Sequence, residues 1–218
     1  MLDPVLMESL WQATVETFYM VGISALLAVL FGLPLGLLLV ITAPNHILPN
    51  FAIQKVLGSI VNVGRSIPFI ILLVAIIPFT RLIVGTTIGS TAALVPLTIA
   101  AIPFFARVAE TALLEVDRGL IEAAQSMGCN HWQIVLKVLI PEALPSLILG
   151  ITIMVISLLS YSAMAGVVGG GGLGDLAIRY GYQRFDTTVM IVTVVLLVIL
   201  VQIAQYVGDR LAIRLRKR

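Results

Sequence analysis

Three features of the sequence predict an all-α membrane protein with five transmembrane helices. Apolar residues make up 60% of the 218 residues and charged residues only 11%, whereas an average soluble domain has about 25% charged residues. The mean hydropathy is +1.11. Several stretches without any charge also reach the roughly 20 apolar residues that a membrane-crossing helix needs. We therefore expect a single membrane domain over residues 1–218.

Charge-free stretches locate the individual spans. Four stretches contain no Asp, Glu, Lys or Arg, at residues 17–45, 82–106, 143–174 and 187–208. A fifth apolar stretch has only 15 residues between Arg65 and Arg81. It crosses a membrane only if its helix starts near residue 57 and Arg65 extends toward the headgroups. The predicted spans are residues 17–41, 57–79, 86–107, 145–166 and 187–208.

The distribution of basic residues predicts the orientation of the chain. Five spans place the termini on opposite sides, and the side richer in Lys and Arg is cytoplasmic. With the C-terminus inside, nine basic residues are cytoplasmic and three are outside, so we expect the N-terminus outside. The amino end lacks a basic stretch and a cleavage site, so no removable signal peptide is expected. The nine residues are Lys55, Arg107, Arg118, Lys137, Arg210, Arg214, Arg216, Lys217 and Arg218.

A charged segment at residues 108–142 predicts a cytoplasmic helical insert between the third and fourth spans. Asp117 is a suitable helix N-cap, and Gly128 suits a left-handed helix end. A second short helix is predicted to begin after Asn130 and to end at Pro141. The expected apolar faces are Leu120, Ile121, Ala124 and Met127 on the first helix, and Trp132, Val135, Leu136 and Leu139 on the second.

Such an insert can connect the membrane domain mechanically to a cytoplasmic partner. Alanines present a small surface that another backbone can approach closely, and a carboxylate beside them can orient the contact. The alternative is an amphipathic hairpin that only packs against lipid headgroups, and periodicity alone does not separate the two. The candidate coupling residues are Glu122, Ala123, Ala124, Met127 and Gly128.

Parts of the sequence resemble known transporter families. Residues 122–128 are EAAQSMG, and after nine further residues comes VLIP at 138–141. This arrangement is similar to the EAA loop of permease subunits of ATP-binding-cassette (ABC) importers, with two aliphatic positions exchanged. More specific segments are similar to methionine-importer permeases: RSIPFIILL at 65–73, IPFTR at 77–81, PEALP at 141–145, YSAM at 161–164, and the glycine run 169–174 followed by YGY at 180–182.

The resemblance implies a type I ABC importer permease fold and a role as the membrane subunit of an ATP-driven methionine importer. It implies a second copy of the chain, two cytoplasmic ATP-binding subunits and an extracytoplasmic methionine-binding lipoprotein, in a bacterial cytoplasmic (inner) membrane. The small size of the chain also favours a dimer with the pathway on its two-fold axis. The alternatives are a permease for another small amino acid or organic solute, and a carrier that works without an ATPase.

Several activities are not expected from these residues. None of the three lysines follows a glycine, so the chain has no P-loop, and ATP would bind only to a partner subunit. The two histidines and one cysteine lack metal-ligand spacing, so no metal or other cofactor and no enzymatic activity are expected. Basic residues are concentrated in the C-terminal tail, which indicates contact with anionic membrane lipid and not with nucleic acid.

Two further regions have open interpretations. Arg65, Ser157, Ser160, Tyr161 and Met164 are candidate residues of the translocation pathway, and the alternatives are helix packing and, for Arg65, anchoring at the headgroups. The outer loop 167–186 contains the glycines 169–174, which formally fit a dinucleotide motif but do not follow a strand. That loop is either a flexible re-entrant or gating segment or a plain turn.

Overall fold

The computed structural model describes residues 4–216, and every regular element in this range is a helix. The all-helical prediction is therefore confirmed. Lys217 and Arg218 of the predicted basic tail lie outside the described residues. The helices are α1 Pro4–Ile41, α2 Phe51–Ser66, α3 Phe69–Ala75, α4 Ile77–Val84, α5 Ser90–Leu114, α6 Arg118–Ser126, α7 His131–Ile134, α8 Ile140–Gly166, α9 Gly172–Leu176 and α10 Thr187–Arg216, with π-helical turns at Val135–Leu139 and Ala177–Tyr182.

Four helices in the described range are long and apolar enough to cross a membrane: α1, α5, the continuous helix His131–Gly166, and α10. The first begins at Pro4, well before the predicted residue 17. Its 38 residues extend about 57 Å at 1.5 Å per residue, which exceeds the roughly 30 Å hydrocarbon core. Helix α1 packs closely on α5, since a Cβ on Gly36 would lie 2.6 Å from the carbonyl oxygen of Ala106.

The predicted second span, residues 57–79, is not one helix. It is broken into α2, α3 and α4, and α2 and α3 meet at an angle of 97°. The cause is local: Ile67 precedes Pro68, and the proline ring excludes the helical conformation at the residue before it. Ile67 is accordingly extended, with φ −83° and ψ 121°.

The broken run nevertheless passes from one end of the bundle to the other. Near its start Asn62 bonds Arg107, further on Phe69 stacks on Tyr161, and Thr80 borders the same small cavity as Gly170. We call the end that carries residues 117–134 the insert end and the end that carries residues 167–186 the glycine-loop end. Counted as one broken span, the run gives a fifth crossing.

The described parts of the first and last helices lead to opposite ends of the bundle. Leu10 packs with Leu173 and Val189 at the glycine-loop end. Gly208 packs directly on Thr152, and α10 continues from there for two more turns toward the insert end. This arrangement agrees with an odd number of crossings.

The predicted helix end at Pro141 is wrong. The helix continues without interruption from His131 to Gly166, 36 residues in all. A π-helical turn at Val135–Leu139 comes immediately before the proline, where the helix must accommodate a residue that lacks an N–H and whose ring crowds the preceding turn. The second part of the insert is therefore one rigid element with the fourth span.

The glycine run 169–174 begins as a turn and leads into the packed helix α9 at Gly172. Gly171 and Gly172 have φ of 77° and 76°, a backbone conformation that favours glycine. The backbone N–H of Gly172 donates to the Glu16 carboxylate at 2.8 Å, and that of Leu173 donates to Thr17 Oγ1 at 2.9 Å. These bonds hold the start of α9 against α1. Glu16 was not among the predicted site residues, although it is one of only two acidic residues in the otherwise apolar α1.

Candidate functional site

The insert is built from two locally specified helices. The Asp117 Oδ1 atom accepts from the N–H of Gly119 at 2.6 Å and caps α6. Gly128 has φ 79° just beyond the end of α6. Asn130 and Gln133 form a reciprocal capping box at the start of α7, with both bonds at 2.9 Å. The predicted starts of both insert helices and the left-handed conformation of Gly128 are confirmed.

The predicted apolar faces of the insert are wrong in part. Ile121 and Ala124 are buried, and they belong to the same core cluster as Ile134, Val135 and Leu139. The remaining apolar residues of the two predicted faces are exposed, because no other part of the described chain covers that side of the insert. These exposed residues are Leu120, Met127, Trp132 and Leu136.

Four of the five candidate coupling residues are accessible. Glu122, Ala123, Met127 and Gly128 are exposed, whereas Ala124 is only 2% exposed. Ala124 follows Ile121 by three residues and so lies on the same side of the helix, which faces the protein core. The expectation that Ala124 forms part of an accessible surface is therefore wrong.

The accessible side of α6 carries an apolar stripe. Leu120, Ala123 and Met127 recur at helical spacing, and Met127 is 77% exposed. Glu122 lies beside this stripe, and its carboxylate has no hydrogen-bond partner within residues 4–216. Exposed apolar groups next to a charge are typical of a protein contact surface. We call Leu120, Glu122, Ala123 and Met127 the insert face.

Polar contacts connect α5 with its neighbours near the insert. Arg107 donates to Glu110 and to Asn62, both at 2.6 Å, and thereby connects α5 to α2. Ser146 on α8 donates to the Glu115 carboxylate at 2.7 Å. These contacts join three membrane helices at the point where α5 leads into the insert. Sequence reasoning missed the network, although the i,i+3 spacing of Arg107 and Glu110 is a usable signal.

One titratable group lies in the connection between α1 and α2. Burial lowers the pKa of His46 below its ordinary value of 6.5, and the positive charge of Arg118 lowers it further. The Nδ1 atom of this histidine is buried without a hydrogen-bond partner in the described structure. The surroundings of His46 therefore favour the neutral form of its imidazole.

The structure brings together four of the five candidate pathway residues. Ser157, Ser160, Tyr161 and Met164 are on one side of α8, and Met164 is 45% exposed. The two serine hydroxyls donate to carbonyl groups of their own helix. Tyr161 stacks on Phe69 with ring centroids 4.7 Å apart.

Arg65 lies apart from these four residues. It is exposed near the end of α2, and the described structure gives no contact between it and the α8 group. Within residues 4–216, no cluster of three or more His, Cys, Asp or Glu side chains has the geometry of a metal site.

Comparison with known proteins gives a consistent picture. The family described as binding-protein-dependent transport system inner membrane component matches residues 32–217. A probable D-methionine transport system permease protein of Vibrio cholerae is 57% identical, over 97% of this chain and 94% of its own length. A methionine import system permease protein of Bacillus subtilis is 47% identical, over 97% and 96%.

The fold comparison agrees with the sequence comparison. A solved structure of the MetNI methionine ABC transporter, in an inward-facing conformation, is similar with a TM-score of 0.97 and 50% identity. The match covers 98% of this chain and 99% of that chain. The resemblance stated from the sequence motifs is therefore confirmed.

Proposed function

We propose that this chain, which belongs to the family of binding-protein-dependent transport system inner membrane components, is the permease subunit of an ATP-driven methionine importer. The observation that carries the proposal is similarity along almost the whole chain, in sequence and in fold, to methionine permeases and to a methionine ABC transporter. The chain is a multi-pass membrane component and not an enzyme. ATP is bound and hydrolysed by separate subunits.

The insert face is proposed as the contact with the ATPase subunit. Its support is the exposure of Glu122, Ala123 and Met127 at the end of the bundle to which the basic residues of the C-terminal helix also extend. Gly128, whose left-handed conformation ends α6, sets the angle between the two insert helices. Two ATP-binding subunits, one for each permease copy, are the expected number.

A second copy of the chain is proposed to complete the pathway. One stripe of α8, with Ser160 and Met164 exposed and Ser157 half-buried, is not fully covered by the described chain. Facing stripes from two copies across a two-fold axis would enclose a weakly polar passage, and the thioether of Met164 suits an apolar, sulfur-containing solute. Tyr161 and Arg65 are retained as candidate pathway residues.

The remaining partners are proposed for an orientation in which the insert end is cytoplasmic and the glycine-loop end is outside. An extracytoplasmic methionine-binding lipoprotein would deliver solute to the glycine-loop end, where Tyr182 and Phe185 are 66% and 85% exposed. The membrane would be the bacterial cytoplasmic membrane, with the insert on the cytoplasmic side. Lipid surrounds the outer surface, and no nucleic-acid partner is proposed.

The mechanism requires a rigid connection from the insert to the pathway. The continuous helix His131–Gly166 carries the second part of the insert at one end and the proposed pathway residues at the other. A displacement of the insert by closure of the ATPase subunits therefore tilts the pathway stripe with it. Two stable tilts would correspond to inward-open and outward-open states.

Reconstitution in liposomes tests this function. The purified chain is assembled with and without its genomic-neighbour ATPase and binding protein, and uptake of labelled methionine is followed with and without ATP. We expect uptake only with the complete set and ATP.

Each alternative gives a different result in the same experiment. Methionine uptake by the chain alone would indicate a carrier or channel. Stable assembly without flux of methionine or any other amino acid would indicate a scaffold. ATP-driven uptake of a different small solute in preference to methionine would leave the permease role intact and overturn the substrate assignment.

A further inference from the structure

An apolar groove runs along the outside of the bundle between α1, α8 and α10. Its volume is about 500 Å³, and its walls include Phe18, Gly22, Ile148, Val155, Ala204 and Leu211. The side chains on all three helices are almost entirely hydrocarbon. The groove is therefore suited to an acyl chain and unsuited to a polar amino acid.

The groove lies away from the proposed pathway. At 100° per residue, Val155 and Leu159 in the groove are on the side of α8 opposite to Ser157 and Met164. If the pathway stripe faces the two-fold axis, as the proposed function requires, the groove faces the surrounding lipid. A second copy of the chain does not then cover it.

The length of the groove along α10 matches one leaflet of a bilayer. Its wall on α10 extends from Leu200 to Leu211, about 16 Å at 1.5 Å per residue. Half of a hydrocarbon core is about 15 Å. The wall on α1 begins at Phe18, next to Thr17, which bonds Leu173 at the glycine-loop end, so the groove leads from that side of the bundle toward the basic end of α10.

Two arginines mark the headgroup level of this groove. Arg214 follows Val207 and Leu211 at helical spacing and continues their stripe beyond the hydrocarbon wall, and Arg210 flanks it. Neither forms a salt bridge within residues 4–216. The neighbouring Asp209 carboxylate accepts instead from Gln205 at 2.8 Å. The Arg210 guanidinium also lies over the Tyr206 ring, 5.1 Å from its centroid, a contact that leaves its N–H donors free to bind an anion.

We infer that the groove is a binding site for one anionic glycerophospholipid, with an acyl chain between α1, α8 and α10 and its phosphate at Arg210 and Arg214. Basic residues beside a groove between membrane helices are a recurrent way to hold anionic lipid headgroups. A bound acyl chain would lie along the outer side of the contact between α10 and the pathway helix α8. The lipid then acts as a structural ligand and not as bulk solvent.

Native mass spectrometry of the detergent-purified full chain, in complex with its ATPase, tests the inference. The probes are phosphatidylglycerol and phosphatidylcholine of equal chain length. We expect retention of one phosphatidylglycerol for each permease chain. The double variant Arg210→Gln, Arg214→Gln should lose about fivefold in preference for each arginine removed, whereas Arg216→Gln, on the opposite side of α10, should retain the wild-type preference.

A second variant tests the acyl-chain part independently. A Cβ on Gly22 meets nothing within 4 Å, so Gly22→Phe can fill the groove without a clash. We expect it to abolish lipid retention, while Leu26→Phe, at an exposed position of α1 outside the groove, should not.

Three results would overturn the site: an equal loss in Arg216→Gln, full retention in Gly22→Phe, or equal retention of the two lipids by the wild type. Methionine uptake measured on the same preparations separates this outcome from failure of the proposed function. If the two lipids are retained equally while ATP-driven methionine uptake is intact, the lipid site is overturned and the proposed function stands.

Discussion

Single residues decide which side of the insert a partner can reach. The two neighbouring alanines of the insert differ most clearly in exposure: Ala123 is exposed, whereas Ala124 is only 2% exposed. Glu122 is exposed beside Ala123, and its carboxylate is unbonded within the described residues. One side of this short helix is thus accessible to a partner, and the other side attaches the helix to the membrane domain.

Replacing Glu122 by alanine should lower ATP-driven methionine uptake about tenfold. The physical reason is the loss of one charge-assisted hydrogen bond to the ATPase subunit, worth about 1.5–3 kcal/mol. Uptake in proteoliposomes and copurification of the ATPase are the measurements. Glu8→Ala is the control, since Glu8 is exposed near the start of α1, and it should behave as the wild type. Unchanged uptake and assembly in the Glu122 variant would remove this residue from the contact.

The histidine at the insert end predicts a dependence of stability on pH. The folded state lowers the pKa of His46 through burial and the charge of Arg118. The unfolded chain therefore takes up a proton first as pH falls through about 6.5, and stability is lost between that value and the lower folded pKa. Thermal melting of the purified chain should show a smaller loss between about pH 8 and pH 5.5 in His46→Asn than in the wild type. An equal loss in the wild type and His46→Asn would contradict this assignment.

At the scale of elements, close backbone contact holds the glycine-loop segment in place. A Cβ on Gly174 would lie 2.3 Å from the Cα of Ala163 on α8, whereas a Cβ on Gly22 meets nothing within 4 Å. The two positions differ in the free space around an added Cβ. They do not differ in the sign of φ, since neither glycine has a positive φ. They form a matched pair for testing whether this packing matters.

Gly174→Ala should destabilise the protein by about 1–3 kcal/mol, the usual cost of adding atoms to a filled interior. Gly22→Ala should not destabilise the protein and should stabilise it by up to about 1 kcal/mol, since alanine without a steric clash favours a helix over glycine. Thermal inactivation of the purified chain measures both. Equal stability of the two variants would mean that the segment does not pack on α8 as described.

Local signals predicted the elements that depend on local chemistry. Asp117, Gly128 and Asn130 act within one or two turns of the chain, and sequence reasoning placed all three. The continuation through Pro141 was missed, because a proline can be accommodated when the helix is widened just before it. Burial of Ala124 was missed because it depends on which helices pack against the insert. The break after Ile67 follows from a rule of local geometry that the hydropathy argument did not apply.

The two ends of the bundle carry different surfaces. The insert face and the basic end of α10 lie at one end, and the packed glycine-loop segment with exposed aromatic residues lies at the other. The excess of basic residues at the insert end predicts that this end is cytoplasmic. The ATPase would then act on the cytoplasmic insert end, and the solute would enter at the opposite, glycine-loop end.

Cysteine labelling in intact spheroplasts checks that orientation. In a Cys129→Ser background, a membrane-impermeant maleimide should label Phe185→Cys directly, because Phe185 is 85% exposed at the glycine-loop end. Met127→Cys should react only after the membrane is permeabilised. The reverse pattern would place the insert outside the cell and would exclude contact with a nucleotide-driven partner.

We expect a separate ATPase to drive this chain through the insert face. The most direct test is site-specific crosslinking in the assembled complex, again with Cys129 replaced by serine. A cysteine at Ala123 should crosslink to the ATPase subunit, and a cysteine at Ala124, one residue away and buried, should not. Crosslinking from neither position, or equally from both, would contradict the account.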